Sequence, residues 1–265
     1  MGGGAARGRG PLSGLSSPAV QIEDLTAGLG RHAERLRSAR HAIGDGIRWY
    51  PYDILANLIH VDTMLSGPNR DLGRLAAGLP VADIGAADGD LAFTLEDQWG
   101  WEVDIVDTAL SNMNGLAGAR ALRDHLGSKV SVHDIDLDAQ FRLPRERYGL
   151  IFLLGILYHL QNPFYVLREL ASRAGHVLLS TKVARFAGPR STPIADLPVG
   201  YLVAPTETNN DPTNYWVLSP AGLERLVDRA GWDVLDRLNV GNTTSSDPAT
   251  PEGDEREFML LRSRG

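Results

Sequence analysis

The segment Val81-Ala-Asp-Ile-Gly-Ala-Ala-Asp-Gly-Asp90 decides the fold. Val81 to Ile84 form a short apolar run broken by one acid, and Gly85 and Gly89 follow it closely. An apolar run of this length ending at glycine reads as a buried strand that opens into a ligand-binding turn. A pyrophosphate-binding turn needs glycines at G-x-G-x-x-G, so that backbone N–H groups and a helix N-terminus face the phosphates. The corresponding positions here are Gly85, Ala87 and Asp90, and a carboxylate at the third place repels phosphate. The spacing that fits is G-x-G-x-G with Ala87 in the middle place and Asp83 ahead of it. Such a turn suits a ligand with a ribose and an amino-acid tail but no phosphate.

Outward from that turn, short buried strands alternate with helices. Strands are predicted at Val81–Ile84, Glu102–Asp107, Val130–His133, Leu150–Leu154 and His176–Ser180, with helices over Leu91–Gln98, Leu110–Leu126 and Pro163–Arg173. Ser219-Pro220 marks an N-cap with proline at the first helical position, opening a helix that runs to about Ala230. Two last strands follow near Asp233–Leu238 and Glu257–Arg262. The pattern predicts an α/β chain with a Rossmann-like, doubly wound, mostly parallel seven-stranded sheet and ligands at the carboxyl ends of its strands. Upstream, Gln21 to Gly44 carries apolar residues at helical spacing, Arg48-Trp-Tyr-Pro-Tyr-Asp53 is an aromatic cluster broken by proline, and Ile54 to Leu65 is again helical. The predicted organisation is a disordered leader 1–20, an N-terminal helical cap 21–75, and a core 76–265. Within the core, the proline-rich stretch 184–215 is too long for an ordinary connection and reads as a lid insertion.

Composition narrows the chemistry. The chain has 265 residues, 43% of them apolar and 22% charged, and carries a net charge of −7. There is no cysteine, which excludes disulfides, thiolate metal sites and cysteine nucleophiles. An acidic balance repels nucleic acid unless a local basic patch overrides it. The arginines of 31–40 alternate with Glu34 at helical spacing and read as a solvated helix face. The longest apolar run, Leu150 to Leu157, is far short of the ~20 residues that span a bilayer. The first twenty residues lack an apolar signal-peptide core, so a cytoplasmic location without membrane attachment is expected. The seven histidines are scattered without metal-ligand spacing, and no metal is expected.

Further positions carry chemistry. Asp107 ends the second strand, 22 residues after Gly85, where a carboxylate can accept from a ribose diol. With Thr108 and Ser111 behind it, a helix cap or plain surface acid is the alternative. Asp134 ends the third strand, where it can accept from an adenine amino group while Ile135 packs on the ring. Asp136 and Asp138 compete for that role, and a solvated acidic turn is the other reading. Tyr158 and His159 stand just beyond the fourth strand. His159 can take a proton from an attacking oxygen or nitrogen, or it can simply cap a helix above a packed Tyr158. Within the aromatic cluster, Tyr52 is the expected cofactor contact, aromatic faces being attractive to a sulfonium cation. The cluster can equally fasten the cap to the core. Tyr215 and Trp216 read as a substrate wall or as plain core, the wall being favoured for Tyr215 only. An adenosine ligand without phosphate selects S-adenosylmethionine (SAM) over NAD.

Asp83-Ile-Gly-Ala-Ala-Asp-Gly89, the strand-end Asp107 and Leu154-Gly-Ile-Leu-Tyr-His-Leu160 together resemble a class I SAM-dependent methyltransferase. Gly155-Ile-Leu-Tyr-His159, Asn214-Tyr-Trp-Val-Leu-Ser-Pro220 and Ala230-Gly-Trp232 are similar, more narrowly, to the branch of bacterial wobble-uridine tRNA methyltransferases and carboxymethyltransferases. The resemblance implies that Asp83 and Gly85 line the methionine end and that the backbone at Leu154 and Gly155 borders its amino group, while Ala86, Ala87 and Thr108 are expected among the cofactor contacts. In the carboxymethyl relatives the tyrosine equivalent to Tyr158 and an early lysine hold the extra carboxylate of carboxy-SAM. No lysine precedes Lys129 here, which favours ordinary methyl transfer, although an arginine such as Arg48 could substitute. The function expected is methyl transfer from SAM to an oxygen or nitrogen of a small-molecule acceptor, such as a secondary metabolite or sugar derivative, with S-adenosylhomocysteine (SAH) as product. A tRNA-modifying methyltransferase and a non-catalytic SAM-binding sensor are the alternatives.

Overall fold

The structure, a computed structural model, describes residues 20–188 and 191–265. The predicted leader therefore lies outside the described residues, apart from Val20. The helices are α1 (Ile22–Ala27), α2 (Leu29–Ile43), α3 (Asn57–Met64), α4 (Leu72–Ala76), α5 (Asp90–Trp99), α6 (Ala117–Leu126), α7 (Pro163–Ala171) and α8 (Pro220–Arg229). The strands are β1 (Val81–Ile84), β2 (Val103–Asp107), β3 (Ser131–Asp134), β4 (Tyr148–Leu154), β5 (Ala174–Val183), β6 (Gly200–Leu202), β7 (Trp216–Leu218), β8 (Trp232–Gly241) and β9 (Glu255–Ser263).

Strands β3, β2, β1, β4 and β5 lie side by side in that order, all parallel. Strand β9 inserts antiparallel between β5 and β8, from His176 opposite Arg262 to Val183 opposite Glu255. The order of the strands reverses between β1 and β4, the place where an open α/β sheet presents its ligand crevice. The expectation of seven strands needs correction: among the described residues the sheet has nine. The two additional ones are β6, inside the proline-rich stretch, and β7, at its exit. They pair antiparallel with each other and join β5 only through Val183 and Leu218. Three-residue strands are too short for alternation to announce them.

Side chains alternate across the sheet. Leu150, Phe152, Leu178, Phe258 and Leu260 face α1 to α5, whereas Ile151, Leu153, Val177, Leu179, Met259 and Leu261 face α7 and α8. Leu25, Leu36, Leu58 and Leu72 from the N-terminal helices are at most 2% exposed on the first face. Burying each such side chain contributes about 1.5–3 kcal/mol. The helical stretch expected over 21–44 is divided at Gly28 into α1 and α2. The helix expected from Leu110 starts only at Ala117. Asn112 Oδ1 accepts the backbone N–H groups of Asn114 at 3.2 Å and Leu116 at 3.1 Å, and an asparagine that binds nearby backbone competes with the helix. Helix α8 starts as expected, with Ser219 Oγ accepting from the Gly222 N–H at 2.9 Å and Pro220 at the first helical position.

Candidate functional site

The turn after β1 is held by short-range bonds. Gly85 (φ 70°) donates to Val106 O at 2.9 Å, and Gly89 N–H closes the turn onto Ala86 O at 2.7 Å. Ala87, also left-handed at φ 56°, donates to Asp107 Oδ2 at 3.2 Å. Asp107 further accepts from its neighbour Thr108 N–H at 2.7 Å and from Asn112 Nδ2 at 3.0 Å. Burial pushes its carboxyl up to about 6 against these donors. A carboxylate has about four acceptor sites. With Oδ2 taking two bonds and Oδ1 one, room remains on Oδ1 for a ribose hydroxyl, and a second ribose bond needs the Asn112 amide to yield.

Asp83 is 4% exposed, and its Oδ2 has no hydrogen-bond partner. Burial first and then the nearby Asp107 push its carboxyl up to about 7. A buried carboxylate oxygen without a donor demands an explanation, and a ligand ammonium would supply the missing donor. The chain thus fits the group that the sequence implies, a ribose plus an α-amino group, at the ends of adjacent strands. Ile156 covers the turn: a Cβ placed on Gly85 would lie 2.1 Å from Ile156 Cδ1. At the sheet edge, Asp134 Oδ1 accepts from Ala109 N–H at 2.9 Å, and Ile135 donates to Asp107 O at 2.8 Å while packing on the second core face.

The aromatic segment crosses this turn through Tyr50 rather than Tyr52. Tyr50 N–H donates to Asp88 Oδ2 at 2.9 Å, and its hydroxyl accepts from Met113 N–H at 2.8 Å. Burial pushes the Tyr50 hydroxyl up to about 12. Asn114 Nδ2 bonds Asp88 Oδ1 at 2.8 Å and Arg48 O at 3.1 Å. Arg40 pairs with Asp90 and lies 5.5 Å from the Trp49 ring. Tyr52 is 65% exposed, its ring 6.5 Å from that of Tyr50. Sequence reasoning missed Tyr50 and Asn112. Asn112 lies five residues after Asp107, in the loop before α6, where no periodic pattern singles it out.

At the end of β4, Leu154 packs on the first core face, and Gly155 just beyond it (φ 77°) donates to Ser180 O at 2.9 Å. A single turn of 3-10 helix, Leu157–His159, carries Tyr158 and His159. Arg256 Nη1 and Tyr158 Oη both come within 3.5 Å of where a Gly155 Cβ would sit, and the guanidinium carbon is 5.8 Å from the Tyr158 ring centre. Burial pushes the Tyr158 hydroxyl up, although Arg256 opposes this. Lys182 and Arg256 share the carboxylate of Asp254, at 3.1 and 3.7 Å. Ser180 Oγ, on the same core face as Asp83, is buried without a partner. The cation beside Tyr158 is therefore Arg256, from the last strand, and neither an early lysine nor Arg48. Its position opposite Lys182 in the β5–β9 register hid it from any linear motif.

His159 lies against Tyr158, ring centres 4.3 Å apart, and burial lowers its pKa below the ordinary histidine value. Its Nδ1 is 3.1 Å from Thr213 O and 2.9 Å from Thr213 Oγ1. The segment after it is fastened to this turn: Tyr215 N–H donates to Tyr158 O at 2.8 Å, Gln161 Nε2 to Tyr215 Oη at 3.3 Å and Trp216 Nε1 to Gln161 O at 3.2 Å. Among the described residues no group of three histidine or acidic side chains is placed to hold a metal ion.

The strand-order reversal, the glycine turn and the strand-end acids thus meet at the carboxyl ends of β1, β2 and β4. The family model described as a methyltransferase domain matches residues 62–237, and the chain belongs to that family. No curated protein matches the chain. Among solved structures, it is similar to the N-terminal domain of EvdMO1 with SAH bound, with a TM-score of 0.57 and 17% identity over 88% of this chain and 97% of that one. It is also similar to the [4+2]-cyclase SpnF, with a TM-score of 0.53 and 15% identity over 95% and 99%. At such identities the likeness is one of fold.

Proposed function

We propose that the protein moves a methyl group from SAM to an oxygen or nitrogen of a small-molecule acceptor and releases SAH. The observation that carries this reading is the pair of strand-end carboxylates: Asp107 with acceptor capacity left for a ribose hydroxyl, and Asp83 with an oxygen lacking any donor. In this reading Asp83 and the backbone of Gly85, Leu154 and Gly155 hold the amino-acid tail. Ala86, Ala87, Asp107 and Thr108 hold the ribose, and Asp134 and Ile135 the adenine. Residues 21–75 act as the cap, touching the turn through Tyr50, with Tyr52 free to swing over it. Residues 184–215 act as the lid, with Tyr215 in the acceptor wall.

When bound, SAM would supply an activated methyl group on its sulfonium. The chain's own work is to bind, align and deprotonate the acceptor. Alignment alone accounts for much of such a rate enhancement. His159, kept neutral by burial, can take the acceptor's proton, and Tyr158 fills the floor beside Gly155. Because a fold neighbour is named as a cyclase, the fold leaves the reaction open and the residues must carry it. The test is SAH production from SAM across a panel of small hydroxylated and amino compounds, with His159→Gln in parallel. SAH formed only with acceptor supports the reading. Tight SAM binding without turnover on any acceptor favours a sensor, and salt-sensitive tRNA binding a tRNA enzyme.

One observation favours a second donor. Arg256 beside Tyr158 and Gly155 could pair with the extra carboxylate of carboxy-SAM, as the branch resemblance implies. Calorimetry with SAM and carboxy-SAM separates the two, since only the carboxylated donor should depend on Arg256.

A further inference from the structure

We propose that Asp211 and Thr213, both on the segment that crosses the site, are positioning residues that hold His159 in the Nδ1–H tautomer and leave Nε2 as the proton-accepting atom. The inference rests on the methyl-transfer reading for its use, but its geometry stands alone. Thr213 O is a carbonyl and can only accept, so at 3.1 Å its partner Nδ1 must carry the hydrogen. Thr213 Oγ1, 2.9 Å from the same nitrogen, has one hydrogen, and it donates that to Asp211 Oδ1 at 2.6 Å. Both partners therefore assign Nδ1 as donor, and in a neutral imidazole the other nitrogen is then the acceptor. Nε2 makes no hydrogen bond among the described residues.

The local chain is shaped for this contact. Asn209 and Asn210 sit in the left-handed region at φ 54° and 52°, a conformation asparagine tolerates, and turn the chain so that Asp211 N–H reaches Thr208 O at 3.1 Å. Asp211 Oδ1 also accepts from Thr213 N–H at 2.9 Å, which fixes the carboxylate relative to the hydroxyl. Thr208 Oγ1 is tied to Pro248 O at 2.5 Å, so the turn is anchored to the loop before β9. The charged and titratable groups facing His159 are Asp211, which favours its protonation, and Arg256, which opposes it, with the neutral Tyr158 ring alongside. When Nε2 takes the proton of an acceptor O–H or N–H, the bonding pair stays on the acceptor atom for the new bond to the methyl carbon, and the methyl–sulfur pair would go to sulfur, leaving SAH. The proton joins the Nε2 lone pair, and the resulting imidazolium lies in line with Asp211 through Thr213. The base is thus complete only with this segment seated against the Leu157–His159 turn.

The test is nitrogen NMR on the full chain labelled with 15N-histidine, the His159 signals identified by their loss in His159→Gln. In wild type near neutral pH, His159 should be neutral with Nδ1 protonated and Nε2 pyridine-like. Asp211→Asn should lower its pKa by about one unit. Thr213→Val, which keeps the carbonyl and removes the hydroxyl bridge to Asp211, should leave Nδ1 protonated but lower the pKa, and Thr213→Ser should restore the wild-type value. An Nε2–H tautomer in wild type overturns the proposal without needing any variant to fold. So do variants that leave the pKa unmoved. SAM calorimetry on the same samples keeps the two failures apart. Absent SAM binding with the Nδ1–H tautomer intact would reject the methyltransferase reading and leave the positioning geometry standing.

Discussion

The two sides of the strand-end surface are assembled from very different spans of chain. Around Asp107, the donors are Ala87, Thr108 and Asn112, all within 20 residues of it. Around Gly155, Tyr158 and His159, the partners are Thr213, Asp211 and Arg256, more than 50 residues away. The first side forms whenever β1 and β2 pair. The second exists only after β9 has entered the sheet and the 184–215 segment has docked. Substitutions on the two sides should therefore separate cofactor affinity from turnover.

The largest effect expected is that of His159→Gln: turnover to SAH should fall about 10²- to 10⁴-fold, while calorimetric SAM affinity stays at the wild-type value. A parallel loss of SAM binding would break the division. Next in size is Arg256→Met. Removing a charged hydrogen-bonding partner costs about 1.5–3 kcal/mol, so KM for an anionic acceptor, or Kd for a carboxylated donor, should rise roughly tenfold or more. The affinity for SAM itself should be unchanged, and steady-state kinetics beside calorimetry reads the difference.

The smallest effect sharpens the cofactor side. Asp83 sits at about 7 in the folded chain, against about 3.9 for a solvated aspartate. Between those values the folded state keeps a proton that the unfolded state has lost, so stability declines as pH rises from about 4 to 7 and then levels off. Pairing with the ligand ammonium needs the ionised form, so SAM affinity should weaken as pH falls below about 7, by at most about tenfold per unit. Asp83→Asn should flatten that slope. An unchanged slope would remove Asp83 from the site.

The same contrast explains what was legible in the sequence. The glycine turn, Asp107, the alternation of β1 to β5 and the Ser219-Pro220 helix start are local signals, and the structure contains them. The shortened α6 was less legible, because Asn112 uses its side chain on the backbone of residues that would otherwise continue the helix. The pairing of β6 with β7 depends on tertiary docking of short segments. Arg256 and Thr213 reach Tyr158 and His159 only through the antiparallel β9 and the crossing segment, relations that no linear spacing encodes. Within the aromatic cluster, nothing linear distinguishes Tyr52 from Tyr50, whose backbone N–H bonds Asp88 of the turn and whose hydroxyl accepts from Met113 beyond β2.

The most direct measurement is calorimetric titration of SAM into wild type and Asp107→Ala, with NAD as the control ligand. Wild type should bind SAM at micromolar Kd and ignore NAD, and the substitution should weaken SAM at least tenfold, about 1.4 kcal/mol. Failure of wild type to bind SAM, or equal affinity in the variant, would contradict the assignment of these strand ends as the nucleoside site.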